Sequence, residues 1–163
     1  MTWIRGLIFT ILVPGVLIVL VPSLMARGHH STDWLWWAGW LVTGLGGVVY
    51  GSCVLQFLLA GGTPAIFFSR HLRFLIGEEP AKLVEQGLYK YSRNPMYLGA
   101  VTLVAGQAML YGSLRVAIYA ITIAIIFQLV VVFLEEPHLK RKGGESYGAF
   151  CARVPRWFGL PKG

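Results

Sequence analysis

The sequence predicts an all-helical membrane protein. It has about four transmembrane helices and a cytoplasmic C-terminal tail that folds back over the last helical hairpin. Three observations predict this. Of the 163 residues, 56% are hydrophobic and only 13% are charged, against about 25% charged in a soluble domain. The mean hydropathy is +0.64. The apolar residues also gather in uncharged runs long enough to cross a bilayer, which takes about 20 residues of helix. A soluble enzyme, a disordered chain and a disulfide scaffold are excluded, and a single domain, 1–163, is expected.

Each span is bounded by charge. The first, 6–26, lies between Arg5 and Arg27. Its basic start suits a signal peptide, but the apolar core is long and lacks a small-x-small cleavage site, so it reads as a retained span. After Asp33 no charge occurs until Arg70, 36 residues that exceed one crossing. Gly61-Gly62-Thr63-Pro64 is a strong breaker, so the second span is set at 34–59. The third, 94–112, starts beside Arg93, and the fourth, 115–134, ends at Glu135. A loop, 60–93, and a tail, 135–163, complete the chain. Helices are required because unpaired backbone is not tolerated in lipid.

Lysine and arginine set the orientation. Twelve of the 14 fall on the N-terminus, the 60–93 loop and the tail; Arg27 and Arg115 fall on the other side. The excess faces the cytoplasm, so both termini are expected there in a multi-pass integral membrane protein, of the inner or plasma membrane in a bacterium. The net charge of +7 is read as loops over anionic lipid and not as a nucleic-acid surface. Trp34, Trp36, Trp37 and Trp40 suit an interfacial belt. His29 and His30 read as a solvated pair, and His71 and His138 as interfacial. No metal-ligand cluster is visible and no metal is expected. Cys53 and Cys151 lie far apart and are read as reduced and structural. The Gly44-Leu45-Gly46-Gly47 run lies inside span two, with Gly47 and Gly51 at a GxxxG spacing, and these glycines are read as serving close helix packing. Gln107 and Gln128 either hydrogen-bond between helices or line a pocket. Oligomeric state is left open.

A turn of a few residues, Tyr111-Gly112-Ser113, joins spans three and four, so they form an antiparallel hairpin. That brings Arg93-Asn94-Pro95 to the level of Glu135-Glu136-Pro137, 40 positions away. Asn94 suits an N-cap and Pro95 the first helical position, and a helix start with Arg93 beside it favours an anion. Two carboxylates at a membrane boundary invite a cation. They either pair with tail arginines or lysines, or, with the helix start, receive a zwitterion. Soluble nucleotide motifs are absent.

The run Gly87-Leu88-Tyr89-Lys90-Tyr91-Ser92-Arg93-Asn94-Pro95-Met96-Tyr97-Leu98-Gly99 resembles the GxYxxxR[HN]PxYxG signature of the isoprenylcysteine carboxyl methyltransferase and phospholipid methyltransferase superfamily. Glu135-Glu136-Pro137-His138-Leu139, Gly144, Tyr147 and Val154-Pro155-Arg156-Trp157 resemble its second block. The resemblance covers roughly residues 61–159. It implies a membrane methyltransferase that uses S-adenosylmethionine (SAM) in a pocket at the cytoplasmic ends of the last two spans and the tail. It implies cofactor contacts at Tyr89, Asn94, Pro95, Tyr97, Leu98, Gly99, Glu135, Glu136, Tyr147 and Arg156. It implies catalytic roles for Arg93, Arg153 and Glu135, with Arg153 ranked above Arg156 for the chemistry. A lipid-like or prenyl-thiol carboxylate acceptor is expected, entering from the bilayer, with phospholipid amine methylation as the alternative. An ionised carboxylate acceptor needs an arginine pair and no base; an amine needs a base, and Glu135 or Glu136 would serve. Asn94 stands where the carboxyl-methylating branch has His, and Phe150 where the family often has Tyr. These departures leave room for a non-catalytic protein of the same fold.

Overall fold

The computed structural model describes residues 14–28, 30–60 and 85–160. Residues 6–13 of the first span, His29, the Gly61–Pro64 breaker, Arg70, His71, Arg73 and Lys82 lie outside the described residues. The described residues form helices and turns, with no strand among them. Helix α1 spans Gly15–Ala26, α2 Trp34–Leu59, α3 Pro95–Leu110, α4 Leu114–Val130 and α5 Glu136–Arg153. A 3₁₀ turn, Gly87–Lys90, precedes α3, and a π-helical segment, Val131–Glu135, joins α4 to α5. Among the described residues, two helices are long and apolar enough to cross a membrane: α2, with 26 residues, and the continuous 40-residue run Leu114–Arg153; α1 and α3 are apolar but shorter.

The exterior is apolar. Leu41, Leu45, Val48, Leu59, Ile121 and Phe133 are exposed, while small residues such as Ala100, Ala120 and Val104 are buried. That inverts the soluble pattern and is what a lipid solvent permits.

Helices α2 and α3 run antiparallel with their backbones in contact, and glycine makes this possible. A Cβ on Gly46 would lie 2.4 Å from the Leu103 nitrogen and one on Gly106 2.4 Å from the Thr43 nitrogen. Gly39 and Gly99 are equally crowded, at 2.7 Å from the Leu110 and Tyr50 nitrogens. Of the glycines expected to pack closely, Gly46 does so, while the Gly47–Gly51 pair and Gly44 do not. Gly51 faces open space and Gly47 comes only within 4.0 Å of a Leu103 methyl. The contact uses Gly39 and Gly46 against Gly99 and Gly106, a spacing of seven on each helix. Seven residues are close to two helical turns, so each pair returns to one face.

The α3–α4 connection is the expected tight turn. Gly112 takes φ +54°, and the Ser113 and Gly112 amides donate to the Ala108 and Met109 carbonyls at 3.0 and 3.1 Å, closing the helix with its left-handed cap. The Ser113 hydroxyl then accepts from the Val116 amide to start α4.

Prolines explain the π-helical stretches. Pro22 has no N–H, so the Ile18 carbonyl four residues back loses its helical donor. Gln107 of α3 donates to that carbonyl at 2.6 Å, and Tyr119 of α4 donates to Leu17 at 2.9 Å. Gln107 thus satisfies a carbonyl that lipid could not. Pro137 follows the second π segment in the same way. In α5, Gly144 adopts φ +51° and ψ −130°, which breaks the helix.

Candidate functional site

The hairpin brings the start of α3 against the end of α4, as its length requires. Tyr97, one turn into α3, lies against Phe127 with ring centroids 4.5 Å apart, and its hydroxyl donates to Glu135. One residue on, Glu136 accepts from Arg93 Nη1 at 2.9 Å and from Arg156 through Nε at 2.8 Å and Nη2 at 2.9 Å. The Arg156 pair is bidentate, the arrangement in which guanidinium and carboxylate bind best. Adjacent residues on a helix point roughly 100° apart. One glutamate therefore faces the α3 helix and its neighbour faces the arginines.

Residues 154–157 return to this junction. The Arg93 amide donates to the Pro155 carbonyl at 3.0 Å. Asn94 Nδ2 donates to the Arg156 carbonyl at 3.0 Å, and Trp157 donates to Gln128 at 2.7 Å. Asn94 occupies the N-cap position of α3, but its side chain does not cap. It is spent on the returning chain, and the Asn94 amide instead donates to the Ser92 hydroxyl at 3.1 Å. Pro95 holds the first helical position as expected.

The two carboxylates differ in charge state. Burial pushes the Glu135 carboxyl up, and the Tyr97 hydrogen bond and the charge of His138 offset this only in part, so it stays above its ordinary value. Burial also pushes Glu136 up, but the Arg156 hydrogen bond and the charges of Arg93 and Arg156 outweigh it. Glu136 is held below the usual carboxylate range. Both residues are largely buried, and what separates them most plainly is their partners: Glu135 has a phenol beside it and Glu136 two guanidinium groups.

Other sequence-predicted residues are placed as follows. Tyr89 is buried, edge-on to Phe57 at 5.6 Å, and its hydroxyl pairs with the Cys53 thiol. Burial raises its proton affinity strongly. Tyr147 is buried in the tail with Phe150 and touches Arg93 and Cys151; Arg93 Nη1 also lies 2.9 Å from Cys151 Sγ. Both cysteines are free thiols. Gly99 meets α2, and Leu98 follows Tyr97 in the first turns of α3. Arg153 extends outward to Glu85 at 3.1 Å. It is Arg156, ranked second in the sequence, that shares a carboxylate with Arg93. Of the histidines, His138 lies beside Glu135.

Sequence reasoning missed Tyr50. Its hydroxyl is buried with no hydrogen-bond partner, and it interacts electrostatically with Cys53, Tyr89 and Tyr97. The signal was the spacing Tyr50, Cys53, Phe57 on α2, which places three residues on one helical face.

A family model described as phospholipid methyltransferase matches residues 37–146. The chain belongs to this family. The match begins in the first turn of α2 and ends inside α5. It contains Tyr50, the Tyr89–Gly99 stretch and both glutamates, and stops before Tyr147, Arg153 and Arg156. Members are methyltransferases of membranes, and they generally use SAM. No curated protein and no solved structure matches the chain.

Proposed function

We propose that this protein is a SAM-dependent methyltransferase embedded in the bilayer, acting on the amine head group of a membrane lipid. The observation that carries the reading is Glu135. It is a buried carboxylate of raised proton affinity, hydrogen-bonded to Tyr97, one residue from a glutamate already neutralised by two arginines.

The residues fit the proposed cofactor. Arg93 keeps a buried Nε–H without a partner, beside the carboxylate of Glu136. That one free N–H is a donor for the carboxylate of the cofactor's amino-acid end. Arg156 and Tyr147 complete that cluster, and Asn94 and the Arg93 amide hold the returning tail over it. When bound, SAM supplies a methyl group on a cationic sulfur, which leaves as a neutral thioether. The chain does the rest. Glu135 takes the proton that an ammonium must lose before its lone pair can accept the methyl group. Tyr97 fixes the orientation of that carboxylate. The surrounding apolar side chains exclude water and raise Glu135 toward the pH at which a base works.

An amine is favoured over a carboxylate acceptor by the arginines. Arg93 and Arg156 are engaged by Glu136, and Arg153 by Glu85, so among the described residues no arginine pair stands open beside Glu135. In this reading the chain is one domain with four spans and cytoplasmic termini. The tail closes the site from the cytoplasm, and the acceptor arrives from the bilayer between helices. The experiment is titration of detergent-purified protein with SAM, followed by mass spectrometry of lipids after incubation. The expected result is SAM binding and N-methylated lipid, with Glu135→Gln binding SAM but not turning over. Absence of SAM binding would sink the proposal. Methyl esters of a prenyl-thiol carboxylate, with no N-methyl lipid, would transfer it to the carboxyl class. Binding without turnover on any acceptor would point to a non-catalytic role.

A further inference from the structure

The buried hydroxyl of Tyr50 has no place in that account. It sits on α2, in the cytoplasmic half of the proposed second span, held near α3 by the Gly46–Gly99 contact; the Tyr50 backbone nitrogen lies where a Cβ on Gly99 would fall at 2.7 Å. Three phenols come together here from three elements: Tyr50 from α2, Tyr89 from the 3₁₀ turn and Tyr97 from α3. Two have partners within the protein. Tyr89 pairs with Cys53 and Tyr97 donates to Glu135. Only the third is orphaned among the buried hydroxyls of this group. An unsatisfied polar atom in an apolar setting is costly, and in lipid no water relieves it. A ligand that satisfies it gains that energy.

The chemistry of the neighbours limits the ligand. Tyr97 has its proton committed to Glu135, and Tyr89 is occupied by Cys53. Glu135 is an acceptor. The faces of aromatic rings attract cations. An amine that carries N–H hydrogens and gains positive charge as it reacts suits these neighbours.

We propose that Tyr50 determines acceptor specificity, by accepting a hydrogen bond from an amine that still carries hydrogen. This rests on the amine-methylating reading and refines its substrate class. Primary and secondary amines present an N–H to the Tyr50 oxygen while the lone pair remains available. A tertiary amine has no N–H and cannot be held this way. Tyr50 then sets how readily each successive methyl group is added.

The test uses full-length protein in vesicles of zwitterionic lipid carrying, in separate preparations, a lipid with a primary, a secondary or a tertiary amine head group. Methyl transfer is measured for the intact protein and for Tyr50→Phe, and SAM affinity is measured for both. The substitution keeps the ring and its packing and removes only the oxygen, and unchanged SAM affinity verifies the fold. The expected result is a fall of about five- to tenfold in kcat/KM for primary and secondary amines, the loss of one hydrogen bond, with the tertiary amine unaffected. An equal fall for all three amines, or no fall, overturns the inference while leaving the methyltransferase reading intact. No transfer by the intact protein to any amine lipid overturns both.

Discussion

Replacing Gly46 with alanine adds one methyl group to a place where two backbones touch. Its Cβ would lie 2.4 Å from the Leu103 nitrogen, 2.7 Å from the Leu103 Cα and 2.8 Å from the Gly99 oxygen. All three are backbone atoms, so no side-chain rotation relieves them. Helices α2 and α3 must part by about 1 Å to restore ordinary contact. Overpacking of this kind costs about 1–3 kcal/mol, and separation also loses dispersion contacts along the interface. The neighbouring Gly47 is the control. Its Cβ would lie 4.0 Å from a Leu103 methyl, an ordinary contact. There alanine gains about 1 kcal/mol of helix propensity with no clash. Thermal unfolding in detergent, followed by tryptophan fluorescence, distinguishes the two. Gly46→Ala should melt lower than the intact protein and Gly47→Ala at or above it. Equal midpoints, or the reverse order, would refute the view that α2 and α3 meet through Gly39, Gly46, Gly99 and Gly106.

Glu136→Gln leaves Arg93 and Arg156 without their carboxylate, so the returning tail should loosen by about 2–4 kcal/mol. Faster hydrogen exchange at the amides of 154–157 is the readout, and unchanged protection would refute it. Burial alone would raise Glu136, but the arginines hold it below its unfolded value. Its contribution is therefore present above the ordinary glutamate range and lost as pH falls below it. For Glu135 the sign is opposite: burial raises it, so the basic form appears only as pH climbs through that raised value. Methyl transfer should show an acid limb that Tyr97→Phe moves to higher pH, because the hydrogen bond that lowers Glu135 is lost, and Glu135→Gln should cut the rate by about 10²-fold or more; a limb unmoved by Tyr97→Phe would remove Tyr97 as its positioning residue. Gln107→Leu should lower stability by about 1–2 kcal/mol by orphaning the Ile18 carbonyl. Pro22→Ala returns an N–H to that carbonyl, so the double variant should lose less than the sum of the singles. A strictly additive cycle would show that the two residues act independently.

The junction of Arg93-Asn94 with Glu135-Glu136 was legible in the sequence. A three-residue turn between two helices of similar length allows only an antiparallel hairpin, and its open ends must meet. The helix start at Pro95 and the left-handed Gly112 were equally legible, since each follows from the local chemistry of one residue. The pairing of the charges was not. Glu135 and Glu136 are the same residue type at neighbouring positions, and sequence assigned both to one cofactor. Their opposite fates follow from about 100° of helical rotation, which only the packed structure orients. That Arg156 pairs with Glu136 and Arg153 with Glu85 was decided likewise, by how the chain turns after α5.

By itself the sequence determined that this chain is apolar and helical, where its charges fall and which family it resembles, because composition, helix boundaries and short turns are properties of neighbouring residues. The tertiary structure decided which glycines meet, which glutamate is neutralised and which tyrosine is left unpartnered. Those depend on the rotation of each helix about its axis, and that is set by contacts between residues distant along the chain.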